Sequence, residues 1–150
     1  MWSFKSLGTI TFQDINFVGC PGFLQVKHLP NNSFSNQSNQ LQAIDVGIVT
    51  LTRVSASLST SSPLRVMGNY TQLVLTDSEF INNVNSETSA GLGWGGAVYA
   101  SVSSASISGS VFNGNKAPKG GTALYLQPTG TSVFLPAPKK RHNFCLIRKH

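Results

Sequence analysis

A single spacing recurs along the chain and restricts the folds that it can adopt. An apolar residue is followed by a second residue five positions later and by a small or polar residue three positions after that. The four copies are Phe12, Phe17 and Cys20; Leu51, Ala56 and Ser59; Leu75, Phe80 and Asn83; and Ile107, Phe112 and Asn115. Because the copies lie at uneven intervals, they indicate a repeated structural unit whose connecting turns vary in length.

A second spacing accompanies the first in the later part of the chain. Three apolar residues each stand nine positions before an apolar partner. The pairs are Val66 and Leu75, Val98 and Ile107, and Leu124 and Val133. Short apolar strands that are rebuilt once per repeat are typical of solenoids, in which each repeat packs on the one before. We therefore expect Val66, Val98 and Leu124 to occupy equivalent positions in successive repeats.

Together these spacings predict an all-β fold, a right-handed parallel β-helix with about five coils. The repeats cover residues 1–135 and are interrupted at 28–40 by a polar, aperiodic stretch that predicts a surface loop. Residues 136–150 are basic, contain prolines and lack the repeat, so we expect a tail outside the fold. Without polar caps, the chain is expected to be a fragment of a longer stack and to self-associate through its ends.

The composition agrees with one turn-rich β domain. Apolar residues make up 40% of the 150 residues and charged residues only 11%, and no segment is long and apolar enough to span a membrane. The formal charge is +6, but much of the basic charge lies near the end, at Lys139, Lys140, Arg141, Arg148 and Lys149. The remainder is nearly neutral, which argues against a nucleic-acid-binding groove. No signal peptide is visible, because the first residues already alternate like a strand.

No metal site or cofactor is predicted. Cys20 and Cys145 lie far apart and match no metal-binding spacing. Cys20 takes the position that Asn83 holds in its own copy, which favours a turn residue over a disulfide partner. The histidines fall in the predicted loop and tail.

Equivalent side chains in stacked parallel strands form ladders, because neighbouring strands lie about 4.8 Å apart. We expect Phe80 and Phe112 to be buried and in contact inside the stack. We expect Asn83 to lie over Asn115 at a turn, where Asn tolerates left-handed geometry and can hydrogen-bond along the stack.

One column of residues could carry chemistry. Asp14, Arg53, Asp77 and Gly109 each follow the first residue of a repeat copy by two positions. Two carboxylates would thus flank a guanidinium, and glycoside hydrolases use such acidic pairs. Asp and Gly are also residues that tolerate a left-handed corner, with Arg53 held between the carboxylates. We favour this structural interpretation over catalysis.

Aromatic residues give a candidate glycan-stacking surface. Tyr99 and Tyr125 occupy equivalent positions, each after an inward residue, so we expect both to face solvent side by side, with Trp94 nearby. Such rings can stack on sugars. An aromatic ladder also stabilises parallel coils without any ligand, and we expect the stacking role to exceed the binding role.

Three N-x-S/T sequons mark candidate glycosylation sites at Asn31, Asn36 and Asn69. They suit a secreted eukaryotic glycoprotein. The high content of Ser and Thr would, however, supply sequons of this kind by chance.

Two short motifs recur between residues 63 and 127. A GGA-apolar motif stands at 95–98, with a looser GGA copy at 120–123, and FxxN motifs stand at 80–83 and 112–115. With these motifs, residues 63–127 resemble the repeats of chlamydial polymorphic outer-membrane proteins. Similar repeats occur in large surface proteins of other organisms. The resemblance implies a pectin-lyase-like β-helix that serves as an extracellular stalk or adhesin.

We therefore expect a non-catalytic structural or adhesive scaffold of a secreted or cell-surface protein. Its partners would be glycans or other surface proteins. The alternative is a fragment of a pectin-lyase-like polysaccharide lyase or hydrolase, in which clustered acidic and basic side chains would line an exposed groove.

Overall fold

A computed structural model of the chain describes residues 2–5, 8–19, 24–27, 41–44, 46–88, 93–134 and 144–146. These residues form thirteen β-strands and no helix. In chain order the strands are β1 (Trp2–Lys5), β2 (Thr9–Gln13), β3 (Asn16–Val18), β4 (Leu24–Lys27), β5 (Leu41–Ile44), β6 (Ile48–Thr52), β7 (Ser55–Ser57), β8 (Leu64–Thr76), β9 (Glu79–Ile81), β10 (Val98–Ser108), β11 (Val111–Asn113), β12 (Leu124–Phe134) and β13 (Phe144–Leu146). The predicted all-β class is therefore confirmed.

The strands form two sheets, and all their pairings are parallel, as predicted. The larger sheet has nine strands; its path is β1-β5-β4-β8-β10-β12-β13, and β6 joins β2 to β8. The smaller sheet has four strands in the order β11-β9-β7-β3. The chain passes repeatedly from the larger sheet to the smaller one and back, because parallel neighbours cannot be joined by a tight hairpin. Among the described residues, no helix is long and apolar enough to cross a bilayer.

The first repeated spacing is confirmed as a strand register. In the larger sheet its first residues pair in succession, namely Phe12 with Leu51, Leu51 with Leu75, and Leu75 with Ile107. In the smaller sheet its second residues do the same, namely Phe17 with Ala56, Ala56 with Phe80, and Phe80 with Phe112. The five-residue spacing therefore marks one strand of each sheet and the corner between them.

The strand register predicted from the second spacing is wrong in part. Val98 pairs with Leu124 as predicted, but its partner in β8 is Leu64 instead of Val66. Likewise, Val133 pairs with Ala105 instead of Ile107. The cause is a pair of bulges, one in β8 and one in β12. A shift of two residues leaves the same side chains facing inward, so the apolar pattern does not reveal it.

The core lies on the inner side of the strands, where alternating side chains of both sheets are removed from solvent. Its largest fully buried side chains are Phe80, Leu51, Leu64, Leu73, Leu75, Leu124, Leu126 and Val49. Phe80 and Phe112 are stacked, with ring centroids 5.2 Å apart and planes inclined by 7°, and they are 0% and 3% exposed. The predicted phenylalanine ladder is confirmed. Stacked rings of this kind add about 1 kcal/mol beyond the area they bury.

A buried amide column runs beside the phenylalanines. Asn83 and Asn115 are 0% and 8% exposed, and the side-chain amide of Asn83 donates to Oδ1 of Asn115 at 2.9 Å. Both amides also donate to main-chain oxygens, Asn83 to Ala56 and Asn115 to Phe80. The predicted hydrogen bonding along the strands is thus confirmed. Buried amides are expensive unless their hydrogen bonds are made, so this column fixes the spacing of neighbouring strands.

Left-handed residues form two columns, one at each end of the smaller sheet's strands. The first column, with φ values of 56°, 51°, 49° and 60°, is Asp14, Arg53, Asp77 and Gly109. Left-handed geometry was predicted for the Asp and Gly positions and is confirmed there, whereas Arg53, which was expected to be an exception, adopts it too. The second, with φ values of 65°, 56°, 53° and 64°, is Gly19, Leu58, Asn82 and Gly114. The expectation that Asn83 and Asn115 take left-handed geometry is therefore wrong, because the corner turns one residue earlier and leaves their side chains to point inward.

Several predicted features fall wholly or partly outside the described residues. These are the loop at 28–40, Cys20, and the sequons at Asn31 and Asn36. Within the predicted tail at 136–150, the structure describes only β13, which pairs in parallel with β12. That pairing adds the strand to the larger sheet.

Candidate functional site

The two tyrosines predicted to be neighbours stack on adjacent strands. Tyr99 in β10 pairs with Tyr125 in β12, and their rings lie 5.1 Å apart at an interplanar angle of 9°. Trp94 lies against Tyr125 at a centroid distance of 5.0 Å and an inclination of 36°. The structure therefore brings together the three predicted aromatic residues.

Their predicted exposure to solvent is wrong. Tyr99 and Tyr125 are 9% and 6% exposed, whereas Val98 and Ala100, which flank Tyr99 and point to the core, are 0% exposed. The tyrosines thus point away from the main core but are covered on the outer side of the sheet. A sugar cannot stack on a ring that is this deeply covered. Glycan stacking at this surface therefore stays a prediction, and the burial of both rings does not favour it.

Arg65 completes the cluster and was missed by the sequence reasoning. It pairs with Tyr99 across β8 and β10, is 8% exposed, and holds its guanidinium carbon 4.4 Å from the centre of the Tyr99 ring. Burial lowers the pKa of Arg65, while Tyr99 and Glu87 act in the opposite direction. A guanidinium over an aromatic face is attracted by the negative charge density of the ring, which offsets part of the cost of burying the charge.

The corner before β10 positions Trp94. The Asn85 side-chain amide donates to the main-chain oxygen of Trp94 at 3.1 Å and to Oγ of Ser62 at 3.0 Å. Gly95 turns the chain with φ of 68°, and a Cβ there would lie 2.3 Å from the main-chain oxygen of Val98. The motif at 95–98 is therefore a tight corner that brings the indole onto Tyr125.

The column of Asp14, Arg53 and Asp77, which could carry acid–base chemistry, contains an exposed ion pair between Arg53 and Asp14. Nε of Arg53 lies 2.5 Å from Oδ1 of Asp14, and Nη2 lies 2.9 Å from Oδ2, so the contact is bidentate. The side chains of Asp14, Arg53 and Asp77 are all exposed. Arg53 therefore lies between two carboxylates, as predicted.

The electrostatics of this column oppose an acid role for Asp14. The hydrogen bond from Arg53, and then the one from Gln13, lower the pKa of Asp14. The hydrogen bond that Arg53 donates to Asp14 raises the pKa of Arg53. A general acid that works near neutral pH needs a raised carboxyl pKa. The geometry therefore favours a corner neutralised by an ion pair.

Serine hydroxyls form a further column that the spacing did not predict. Ser78 Oγ accepts a bond from the Val54 amide at 3.2 Å, and Ser110 Oγ accepts one from the Ser78 amide at 3.1 Å. Both serines directly follow left-handed residues, Asp77 and Gly109. The signal in the sequence was the Ser that follows each of these two corner residues.

Of the three predicted glycosylation sites, only Asn69 lies among the described residues. It is exposed, in the middle of β8. Within the described ranges, no three His, Cys, Asp or Glu side chains gather into a group that could hold a metal ion. Comparison with protein-family models, with curated proteins and with solved structures found no match to this chain.

Proposed function

We propose that the chain is a right-handed parallel β-helix that serves as a non-catalytic structural or adhesive scaffold of a secreted or cell-surface protein. The observation that carries the proposal is the repeated register, in which Leu51, Leu75 and Ile107 pair in one sheet and Ala56, Phe80 and Phe112 in the other. A chain that alternates between two parallel sheets has to wind. Crossovers between parallel strands are right-handed in about 98% of cases.

The distribution of polar groups supports a scaffold. The buried polar side chains Asn83, Asn115 and Ser78 make hydrogen bonds that link neighbouring strands. Their chemistry is used to hold the strands together, which is what a load-transmitting or spacing element needs. Solenoids also present long lateral surfaces that suit binding of glycans or of other surface proteins.

The rival function, cleavage of a polysaccharide, finds its best residues in Asp14, Arg53 and Asp77. Their exposure is compatible with substrate access. The bidentate ion pair between Asp14 and Arg53 argues against it, because both charged groups are already committed to each other and the pKa of Asp14 is lowered.

A location experiment tests the proposal. The natural full-length gene product is tagged and expressed in its own cells, and intact cells are labelled with an antibody that cannot cross the membrane. We expect labelling of intact cells or recovery of the protein from the medium. Retention inside intact cells, with labelling only after permeabilisation, would overturn the surface assignment.

Adhesion and catalysis are then separated by two assays on purified protein. Beads coated with the chain should adhere to cells or immobilised extracellular glycans more than beads coated with heat-unfolded chain. Incubation with a panel of acidic and neutral polysaccharides should release neither new reducing ends nor unsaturated uronates. Turnover that disappears in Arg53→Ala, with the variant still folded, would establish the enzyme instead.

A further inference from the structure

Strand β8 contains a bulge that projects from the larger sheet. Gly68 pairs with Val102 and Gln72 pairs with Ser104, so residues 69–71 stand opposite the single residue Ser103. The two extra residues have no room in the flat ladder, and the chain bends outward there. Asn69 is exposed, and Tyr70 is 81% exposed.

The third residue of the bulge points the other way. Thr71 is 3% exposed, and its hydroxyl donates to the main-chain oxygen of Val46 at 2.7 Å. The Ser103 hydroxyl donates to the main-chain oxygen of Thr71 at 2.8 Å, and that of Thr129 to the main-chain oxygen of Asn69 at 3.2 Å. The main chain of the bulge is thus anchored on neighbouring strands, while the Asn69 side chain is directed to solvent.

These three residues, Asn69, Tyr70 and Thr71, form an N-x-S/T sequon. We propose that Asn69 carries an N-linked glycan that is attached before β8 folds. This inference goes beyond the scaffold function and depends on it only for the natural delivery of the chain to the secretory pathway. The exposed Asn69 can carry a large sugar in the folded protein without displacing the core, because Asn69 and Tyr70 are exposed at the bulge and only Thr71 of the bulge is buried.

The timing follows from the position of Thr71. The transferase must engage the sequon hydroxyl while the Asn69 amide nitrogen attacks the anomeric carbon of a lipid-linked oligosaccharide. A nitrogen–carbon bond forms, the bond between the sugar and the phosphate breaks, the lipid diphosphate leaves with the electron pair, and the amide loses one proton. In the folded chain the Thr71 hydroxyl is buried and bonded to Val46. Only the unfolded chain therefore presents a complete acceptor.

The first experiment tests whether Asn69 accepts a glycan. The chain is fused to a cleavable secretion signal and expressed in eukaryotic cells with Asn31→Gln and Asn36→Gln, so that Asn69 holds the remaining N-x-S/T sequon. We expect one added glycan, seen as a mass increase that peptide N-glycosidase removes. The glycan should be lost in Asn69→Gln and Thr71→Ala and kept in Thr71→Ser. An unmodified parent chain in the medium would overturn the proposal.

The second experiment tests the timing. Purified unglycosylated parent chain is offered to an oligosaccharyltransferase and a lipid-linked oligosaccharide, either folded or denatured and diluted immediately before the reaction. We expect at least a tenfold preference for the unfolded chain. Equal modification of both would refute attachment before folding. Because the secretion signal is supplied, a natural chain that stays inside cells would refute the surface scaffold without affecting either result.

Discussion

Asn83 donates two hydrogen bonds to one oxygen, Oδ1 of Asn115, from its main-chain amide at 3.0 Å and from its side-chain amide at 2.9 Å. The Asn115 side chain, in the turn that follows β11, thus accepts from two buried donors of Asn83 in the turn that follows β9. The main-chain part of this arrangement recurs at the equivalent turn one strand earlier, where the Ser59 amide donates to Oδ1 of Asn83 at 3.1 Å.

Asn115→Ala should lower the free energy of unfolding by about 2 to 4 kcal/mol, because it leaves two buried donors without their acceptor and each costs about 1 to 3 kcal/mol. Urea denaturation followed by circular dichroism measures the change. The matched control is Asn113→Ala, at an exposed residue two positions earlier at the end of β11, which should change stability by less than about 0.5 kcal/mol. Equal effects of the two substitutions would show that the buried amide hydrogen bonds do not contribute to the free energy of unfolding.

Phe112→Ala should cost about 3 to 5 kcal/mol, because it leaves a cavity above the fully buried ring of Phe80. Phe112→Leu, which fills most of that volume, should cost clearly less. Thermal and urea unfolding of both variants provide the measurement. A loss below about 1 kcal/mol for the alanine variant would contradict the stacked arrangement.

Arg65→Ala should destabilise the chain by about 2 kcal/mol, because it removes both the packing of a buried side chain and its contact with the Tyr99 ring. Tyr99→Phe keeps the ring and should stay within about 1 kcal/mol of the parent chain, which separates the ring contribution from that of the hydroxyl.

Tyr99→Ala combined with Tyr125→Ala should lower the free energy of unfolding. The loss of stability, in kcal/mol, should exceed the loss in the free energy of glycan binding. A glycan-induced change in tryptophan fluorescence that vanishes in a folded double variant would restore the binding role.

Leu58→Gly should stabilise the protein. Leu58 is 57% exposed and has φ of 56°, a left-handed geometry that costs a residue with a Cβ about 1 to 2 kcal/mol. Removing the side chain relieves this strain, and the added freedom of the unfolded chain offsets roughly half of it. We expect a net gain of about 0.5 to 1 kcal/mol, measured as the urea midpoint. Leu58→Ala retains the Cβ and should show no gain; a comparable gain there would attribute the effect to lost exposed apolar surface.

Asp14 should contribute to the acid end of the stability profile. Its pKa is lower in the folded chain, chiefly through the hydrogen bond from Arg53, so the folded state binds its proton less readily than the unfolded chain. The stabilisation is therefore present above the unfolded value of about 3.9 and is lost as the pH falls through the folded pKa.

Melting temperatures between about pH 2 and pH 6 test this expectation. The parent chain should lose more stability on acidification than Asp14→Asn, and added salt should reduce the difference because the pair is exposed. Glu79→Gln, on a strand of the smaller sheet, serves as the control. Superimposable profiles of the parent chain and Asp14→Asn would show that the ion pair is broken in solution.

The sequence predicted best the part of the fold in which spacing is constant. Leu75 to Phe80 and Ile107 to Phe112 cover one corner of fixed length, so equal offsets translate directly into equal positions. The spacing from Val66 to Leu75 crosses the bulge in β8, and two inserted residues return the same face to the core. The pattern of apolar residues therefore could not distinguish Val66 from Leu64 as the partner of Val98.

The two residues inserted in β8 also explain why the aromatic cluster was predicted only in part. With Val66 aligned to Val98, Arg65 would lie beside Ala97 and away from Tyr99. In the observed register Arg65 lies beside Tyr99 and approaches its ring. Burial of the tyrosines depends on such tertiary neighbours, and strand alternation alone assigns them only to the outer face.

The two left-handed columns divide the chain into regions that tolerate length changes very differently. From one corner column to the other the distance is always five residues, as from Asp77 to Asn82 and from Gly109 to Gly114, whereas equivalent positions in neighbouring strands are separated by 39, 24 and 32 residues. All of this variation falls on the longer connection, which runs from the second column through the larger sheet to the next residue of the first column. Insertions, whether natural or engineered, should therefore be tolerated in this longer connection, provided that the five-residue segment between the two columns keeps its length.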